Sequence, residues 1–375
     1  MPLSSLIGNS AARQAWIRMV DSGHIPNAIL FHENDGGGAL PFVLACLQYL
    51  FCTDRHGADA CGTCPACNRV GKLIHPDIHF VFPVNSGSRS SSSKPTSDTY
   101  LTQWRELVAR NPWFLESDLG DALGLNGKQG VIAVEEAKAI LEKLSLHALE
   151  GGFQAVVLYL PERMNAAAAN KLLKIVEEPP SQCLFLMITH DPDAVLQTIR
   201  SRCQLIRVAP LRPEEVAQVL VRDFSEDPAR AAEVASYSDG SVGTALAHLS
   251  EESGFHEIRG LVTSLLDALA ARDYEAALDA GDAVAALSSR EKQKAFCTFA
   301  GVCVRNLFLC RQMPELAALP SGERAWYGQR AQALGPKFCS RAEKVLTVTE
   351  TLLEGNVNQK ILFCDMVNRL YMSVS

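Results

Sequence analysis

One turn near the N-terminus constrains this chain more than any other stretch. Asn27-Ala28-Ile29-Leu30-Phe31 reads as a short buried strand, glycines follow at Gly36, Gly37 and Gly38, and a helix-like apolar run begins near Leu40-Pro41. A strand, a glycine turn and a helix N-terminus together form the cradle that binds phosphate through backbone N–H groups. A working loop of this kind follows its glycines with a Lys for the β- and γ-phosphates and a Ser or Thr for magnesium. Here those two places hold Ala39 and Leu40. Glu33 and Asp35 add carboxylates where a triphosphate would sit. Like charges about 4 Å apart at an effective dielectric near 20 repel by roughly 4 kcal/mol. The turn therefore predicts a nucleotide-binding type of α/β fold whose nucleotide chemistry is lost.

The rest of the chain is organised around that strand. Apolar runs at 27–31, 78–82, 155–160, 184–188 and 204–208 read as strands. Helical patterns separate several of them. Val134, Ala137, Leu141, Leu144 and Ala148 fall on one helical face, and 166–178 reads as a helix with Asn165 as N-cap and Pro179-Pro180 as its stop. Alternation of this kind predicts a mainly parallel sheet with helices on its faces. Residues 86–98 carry seven serines in 13 positions and read as a linker or insertion. It continues through 99–130, which is less regular, with helical potential around Tyr100–Ala109. After about residue 208 the strands stop. Pro213-Glu214-Glu215 opens a helical region to about 250, and a third, all-helical stretch fills 251–375. There Ser288 and Glu291 form a candidate capping box ahead of an apolar stripe, Phe296, Phe299, Cys303, Leu307 and Cys310.

A chain of 375 residues with 47% hydrophobic content is long enough for two or three folded domains. Its net charge of −7 argues against a large autonomous nucleic-acid surface, which needs clustered Lys and Arg. The N-terminus has no basic region and no signal-peptide core. The apolar run from Ala39 to Cys52 is too short to span a bilayer. These features predict a soluble, cytoplasmic protein, in which a disulfide framework is not expected.

Of the 12 cysteines, Cys52, Cys61, Cys64 and Cys67 stand at C-x8-C-x2-C-x2-C spacing, with Gly57, Gly62 and Pro65 available for turns. Four thiolates close a tetrahedral zinc site and leave no open position, so the expected metal is a structural Zn²⁺. Such a knob would bind nucleic acid, bind protein or stabilise a loop, and the spacing does not choose among these. A second broken site lies on the strand ending Val157-Leu158-Tyr159-Leu160. Acids that hold magnesium and polarise water belong at that end, and Tyr159 and Leu160 stand there instead. Glu162 lies two residues late, after a proline, and reads as a surface or interface residue.

The run from Met164 to Pro180, Thr198-Ile199-Arg200-Ser201-Arg202-Cys203, and the four-cysteine insert after the glycine-turn helix resemble bacterial clamp-loader subunits. The resemblance covers most of residues 5–210. A dead phosphate loop beside a retained Ser-Arg-Cys resembles the delta-prime branch of that DNA polymerase III family. The tau and gamma ATPases of the family keep the Lys, the Ser/Thr and the acids. The resemblance implies a RecA-like AAA+ domain over 1–207, a small helical lid over 208–250 and an all-α collar over 251–375. It makes Arg202, flanked by Ser201 and Cys203, an arginine finger acting on the ATP of a neighbouring subunit, with Arg200 as the competitor for that role. A guanidinium is always charged and forks onto phosphate oxygens. Thr189 takes the place of a phosphate-sensing polar residue. Gly243 replaces the arginine that ATP-binding relatives use as a second sensor. The implied partners are gamma or tau, delta, the sliding clamp, and primed DNA through the assembled complex, with no membrane. The serine-rich insertion is outside the family pattern. Two other readings stand beside this one: an active clamp-loader ATPase, and a stand-alone zinc-dependent DNA-binding protein.

Overall fold

A computed structural model describes residues 2–85, 95–125, 129–150, 152–180, 182–250, 254–314, 319, 321–353, 355 and 357–374. The serine run at 86–94 lies outside the described residues. The chain forms two compact units, one of residues 1–215 with 240–244, the other of 216–239 with 245–375.

In chain order the first unit contains α1 (Ser10–Asp21), β1 (Ala28–His32), α2 (Ala39–Phe51), α3 (Pro65–Gly71), β2 (Ile78–Val81), α4 (Leu101–Arg110), α5 (Glu116–Ala122), α6 (Val134–Leu144), β3 (Gln154–Tyr159), α7 (Ala166–Glu177), β4 (Cys183–Thr189), α8 (Gln197–Arg200) and β5 (Gln204–Arg207). All five strands expected from the apolar runs are present, within a residue or two at their ends. They pair in parallel in the order β2-β3-β4-β1-β5. Strands β1, β3 and β4 are covered on both faces and read as continuous apolar runs, whereas the edge strand β5 is largely exposed. Side chains alternate faces along each strand. Ile29, Phe31, Val157 and Leu186 join one core with Trp16 of α1 and Val43 of α2. Ala28, Leu30, Val156 and Met187 join the other with Ile140 of α6 and Leu172 of α7.

Helix α7 starts as predicted, with Asn165 Oδ1 accepting the Ala168 N–H at 2.8 Å. Helix α6 ends at Leu144, so Ala148 falls outside it, and Ala137, Ile140 and Leu144 form its buried face. The less regular stretch after the serine run contains α4 and α5. It is fastened by Trp104, which stacks on Phe82 at 4.5 Å and meets Phe114 and Tyr159 edge-on at 5.5 and 5.7 Å. Such aromatic pairs are worth about 0.5–1.5 kcal/mol each beyond their burial.

Three helices, α9 (Pro213–Phe224), α10 (Pro228–Ala235) and α11 (Val242–Leu249), follow β5. Six more, α12 (Phe255–Ala271), α13 (Tyr274–Ala285), α14 (Arg290–Gln312), α15 (Ser321–Leu334), α16 (Phe338–Leu353) and α17 (Gln359–Tyr371), complete the second unit. The stripe on α14 is core as expected: Phe296, Phe299, Cys303 and Leu307 are buried and Cys310 packs against them. The expected cap moves by one residue. Ser289, in extended conformation, accepts the Lys292 N–H at 3.2 Å, so Ser288 with Glu291 is not the capping box. A serine pair leaves this choice to backbone dihedrals, and the residue in the β region wins. Among the described residues no helix is long and apolar enough to cross a membrane.

Candidate functional site

Strands β1, β3 and β4 end side by side, and the glycine turn rises from the end of β1. Open parallel sheets bind ligands outside the carboxyl ends of their strands. Gly36 and Gly38 take φ values of 69° and 108°, which only glycine adopts without strain. Their backbone leads into the N-terminus of α2.

That N-terminus already has an occupant. Glu33 is 4% exposed, and its Oε2 accepts the Ala39 N–H at 2.5 Å, with the N–H groups of Gly38 and Gly37 also directed at the carboxyl. Burial drives its pKa up to about 8, against the opposing pull of those N–H groups. At neutral pH Glu33 is therefore mostly protonated. The expectation that it repels phosphate as a charge is corrected: it fills the cradle as a hydrogen-bonding group.

The space over the turn is filled as well. Gly243 N–H donates to the Gly36 carbonyl at 3.1 Å, and Ser241 Oγ donates to the Asp35 carbonyl at 2.7 Å. A Cβ on Gly36 would stand 2.9 Å from Gly243 Cα, Leu115 Cδ2 and Ser241 Oγ. A Cβ on Gly243 would stand 2.3 Å from the Trp113 carbonyl oxygen, so the arginine of nucleotide-binding relatives has no room there. The half-exposed Asp35 carboxylate accepts the Glu116 N–H at 3.1 and 3.2 Å. Trp113 Nε1 lies 3.3 Å from where a Gly38 Cβ would be. The filling segment comes from the insertion, whose part in the site local sequence did not reveal. The apolar triplet Trp113-Phe114-Leu115 was the available signal.

The second broken site is equally committed. Tyr159 is buried and its hydroxyl lies 3.4 Å from His190 Nε2. Burial lowers the His190 pKa against the opposing charges of Glu162 and Glu116, and its Nε2 lies 3.9 and 3.6 Å from Glu33 and Asp35. Leu160 is buried too. Glu162 is not a free surface acid. It accepts Thr189 Oγ1 at 2.8 Å and the His190 N–H at 2.9 Å, so it ties the end of β3 to the end of β4. The sensor-like Thr189 is thereby spent on an internal bond.

Arg202 stands in a different cluster. Its Nη1 donates to the Thr198 carbonyl at 3.0 Å and its Nη2 pairs with Glu177 at 3.1 Å, with the side chain about one-third exposed. Ser201 Oγ donates to the same Thr198 carbonyl at 3.3 Å, and Cys203 packs against the core beside α7. Arg200, about as exposed as Arg202, pairs with the exposed Asp193 and donates to the Pro192 carbonyl.

The four cysteines come together as their spacing predicts. Cys52 follows α2, Cys61 lies in the loop, Cys64 caps α3 and Cys67 lies in its first turn. Gly57 and Gly62 take positive φ in that loop. All four Sγ atoms lie within 4.8 Å of one another, a set able to hold a metal ion. Tetrahedral Zn–S bonds of about 2.3 Å require sulfurs roughly 3.8 Å apart, and Cys61 and Cys67 stand at 3.9 Å. Backbone N–H groups of Cys61, Cys64 and Cys67 point at Cys52, Cys61 and Cys64 sulfurs at 3.2–3.4 Å, as suits thiolates. Helix α3 is also anchored to the sheet side. Arg69 pairs with Glu150, whose other oxygen lies 3.3 Å from His75 Nε2, and Asp77 accepts the N–H groups of Leu149 and Glu150.

A five-stranded parallel sheet flanked by helices, with a glycine turn covered by the chain's own side chains, defines the class: an α/β protein with its site region at the carboxyl ends of the strands. The chain belongs to the family described as DNA polymerase III, delta subunit, whose model matches residues 8–212. Among curated relatives, the DNA polymerase III subunit delta' of Bacillus subtilis (strain 168) is 27% identical over 251 residues, 67% of this chain and 61% of that one. Those of Escherichia coli (strain K12) and Yersinia pestis are 28% and 30% identical, covering 60% and 48% of this chain and 54% and 40% of theirs. The matched stretches thus span less than two thirds of these relatives. Among solved structures, a gamma subunit-related protein of Thermotoga maritima aligns over 97% of this chain and 99% of its own, at 13% identity and TM-score 0.34. The Bacillus subtilis DNA clamp loader delta protein aligns over 96% and 99%, at 8% identity and TM-score 0.33.

Proposed function

We propose that this chain is a non-hydrolysing delta-prime-type subunit of a cytoplasmic replicative clamp loader, built as a RecA-like domain, a lid over 208–250 and a collar over 251–375. The observation that carries this reading is the occupied cradle in a chain of this family. Glu33 stands on the N–H groups that would hold phosphate, and Gly243 leaves no room for an arginine. The subunit would scaffold gamma or tau and delta, and through the assembly help place the sliding clamp on primed DNA. Arg202 acts in trans on a neighbour's ATP, with Ser201 and Cys203 holding its turn. Its partial exposure supports this, since Thr198 and Glu177 hold it only by a carbonyl bond and a surface ion pair. Such pairs are worth about 0–1 kcal/mol and yield readily to a triphosphate. Cys52, Cys61, Cys64 and Cys67 hold a structural Zn²⁺ that fixes the loop between α2 and α3. Metal analysis of the purified chain is expected to give one zinc per molecule, lost in a variant with Cys64→Ser and Cys67→Ser.

The deciding test is ATP turnover of the loader reconstituted with cognate subunits, clamp and primed DNA, with this chain or its Arg202→Ala variant. Assembly is followed by gel filtration. The expected result is lost turnover with assembly intact. Unchanged turnover removes the finger, and no stimulation by the unaltered chain removes the loader reading. Magnesium-dependent ATP binding by the isolated chain would instead support an active ATPase.

A further inference from the structure

The insertion and the short segment 240–244 meet over the glycine turn. In a nucleotide-binding turn of this kind the bound phosphate satisfies the N–H groups of the glycines and of the helix start. Here the N–H groups of Ala39, Gly38 and Gly37 are directed at Glu33, and the rest of the turn is bonded internally as well. Glu33 takes the Ala39 N–H, the Gly36 carbonyl takes the Gly243 N–H, the Asp35 carbonyl takes Ser241 Oγ, and the Asp35 carboxylate takes the Glu116 N–H. Leu115 and the indole edge of Trp113 cover the glycines. Tyr159, in the place of the catalytic acids, holds this segment down through Phe114 and Trp104 at 5.5 and 5.7 Å. Buried donors left without partners cost about 1–3 kcal/mol each, and Glu33 spares the Gly37, Gly38 and Ala39 N–H groups that cost.

We propose that Glu33 is an internal ligand of the phosphate cradle, and that Trp113–Glu116 with Ser241–Gly243 forms a built-in stopper that excludes nucleotide. The insertion is therefore a functional part: it replaces the nucleotide as the element that closes the loop. The cradle beneath remains a latent anion site, opened by removing Glu33. This deepens the reading of a non-hydrolysing subunit but rests only on the isolated chain, so it can fail while the trans role of Arg202 stands.

The test uses the chain labelled with 5-fluorotryptophan, whose four tryptophans give separate fluorine signals, with Trp113→Phe assigning the one of interest. In the unaltered chain, millimolar ADP or inorganic phosphate is expected to leave the Trp113 signal in place. In Glu33→Ala, inorganic phosphate is expected to shift it saturably, with a millimolar dissociation constant. In Glu33→Gln, whose amide oxygen still accepts the same N–H groups, phosphate is expected to do nothing. Saturable ADP binding that shifts Trp113 in the unaltered chain overturns the stopper. A folded Glu33→Ala that takes no phosphate, or a Glu33→Gln that takes it as well as Glu33→Ala, overturns Glu33 as the occupant. If Glu33→Ala does not fold, amide hydrogen exchange of the unaltered chain decides. The Gly38 and Ala39 amides are expected to be strongly protected without ligand, and exchange at unprotected rates overturns the proposal.

Discussion

The glycine turn and the Ser-Arg-Cys corner belong to the same unit, yet they are built in opposite ways. At the turn the polar side chains are met from within the unit: Glu33 by the start of α2, the half-exposed Asp35 by Glu116, Thr189 by Glu162. At the corner, Arg202 keeps a third of its side chain in solvent and holds only a carbonyl and a surface carboxylate. Burial and hydrogen bonding lock a group in place, while exposure leaves it free to change partners. The difference teaches which of the two can still change partners, and it is the basis of the proposed trans role for Arg202 and of the proposed closed turn.

The sharpest challenge to that contrast is Arg202→Lys. A lysine keeps the charge but loses the planar fork. Turnover at the neighbouring site in the assembled loader is expected to fall on the order of 10³-fold, as loss of a finger does in related NTPases. Turnover that survives the change would make the corner as inert as the turn.

Glu33→Gln probes the turn from its protonation. The folded carboxyl holds its proton up to about pH 8, whereas the unfolded one loses it near 4.5. Between those values the folded state binds more protons, so stability falls as pH rises through the window and levels off above it. The variant carries no such term. Its stability advantage is expected to grow by about 1.4 kcal/mol per pH unit across that range, read from urea melts at pH 5 and 8.5. Asp35, His190 and Tyr159 lie against a carboxyl in the unaltered chain and against a neutral amide in the variant, so the difference also carries their response to the charge of Glu33. Equal melts at both pH values would mean that Glu33 is solvated rather than enclosed.

Gly243→Arg asks whether the turn has room. With the Trp113 carbonyl 2.3 Å from the new Cβ, overpacking is expected to cost about 1–3 kcal/mol in a denaturant melt, and an unchanged midpoint would show that the segment lifts away freely. The smallest effect is expected from Arg200→Ala. It loses an exposed pair with Asp193 worth at most about 1 kcal/mol and leaves loader turnover unchanged; a large loss of turnover would move the finger from Arg202 to Arg200.

Much of this was legible before the coordinates. The five strands and the sheet type follow from apolar runs bounded by glycine and proline, because parallel strands bury both faces and leave a strong local signal. The cysteine knob follows from spacing alone. The missed features are those that depend on distant residues or on single dihedrals. Nothing in Trp113-Phe114-Leu115 says that it packs over a turn some 75 residues earlier. Glu33 was read as a repelling charge because its protonation is set by burial, a tertiary property. Ser289 rather than Ser288 caps α14 because two adjacent serines differ only in backbone angles.

The contact of Gly36 with Gly243 has a historical consequence. Backbone lies against backbone there, so neither position admits a side chain. Restoring a lysine at the fully enclosed Ala39 would bury an ammonium group beside an occupied cradle, and restoring an arginine at 243 would strike Trp113. Each single step back toward a nucleotide site is penalised until Glu33, the insertion and Gly243 have all changed together. On the proposed non-hydrolysing reading, the closed turn acts as a ratchet: drift can alter the surfaces of the chain, but single substitutions do not reopen the turn.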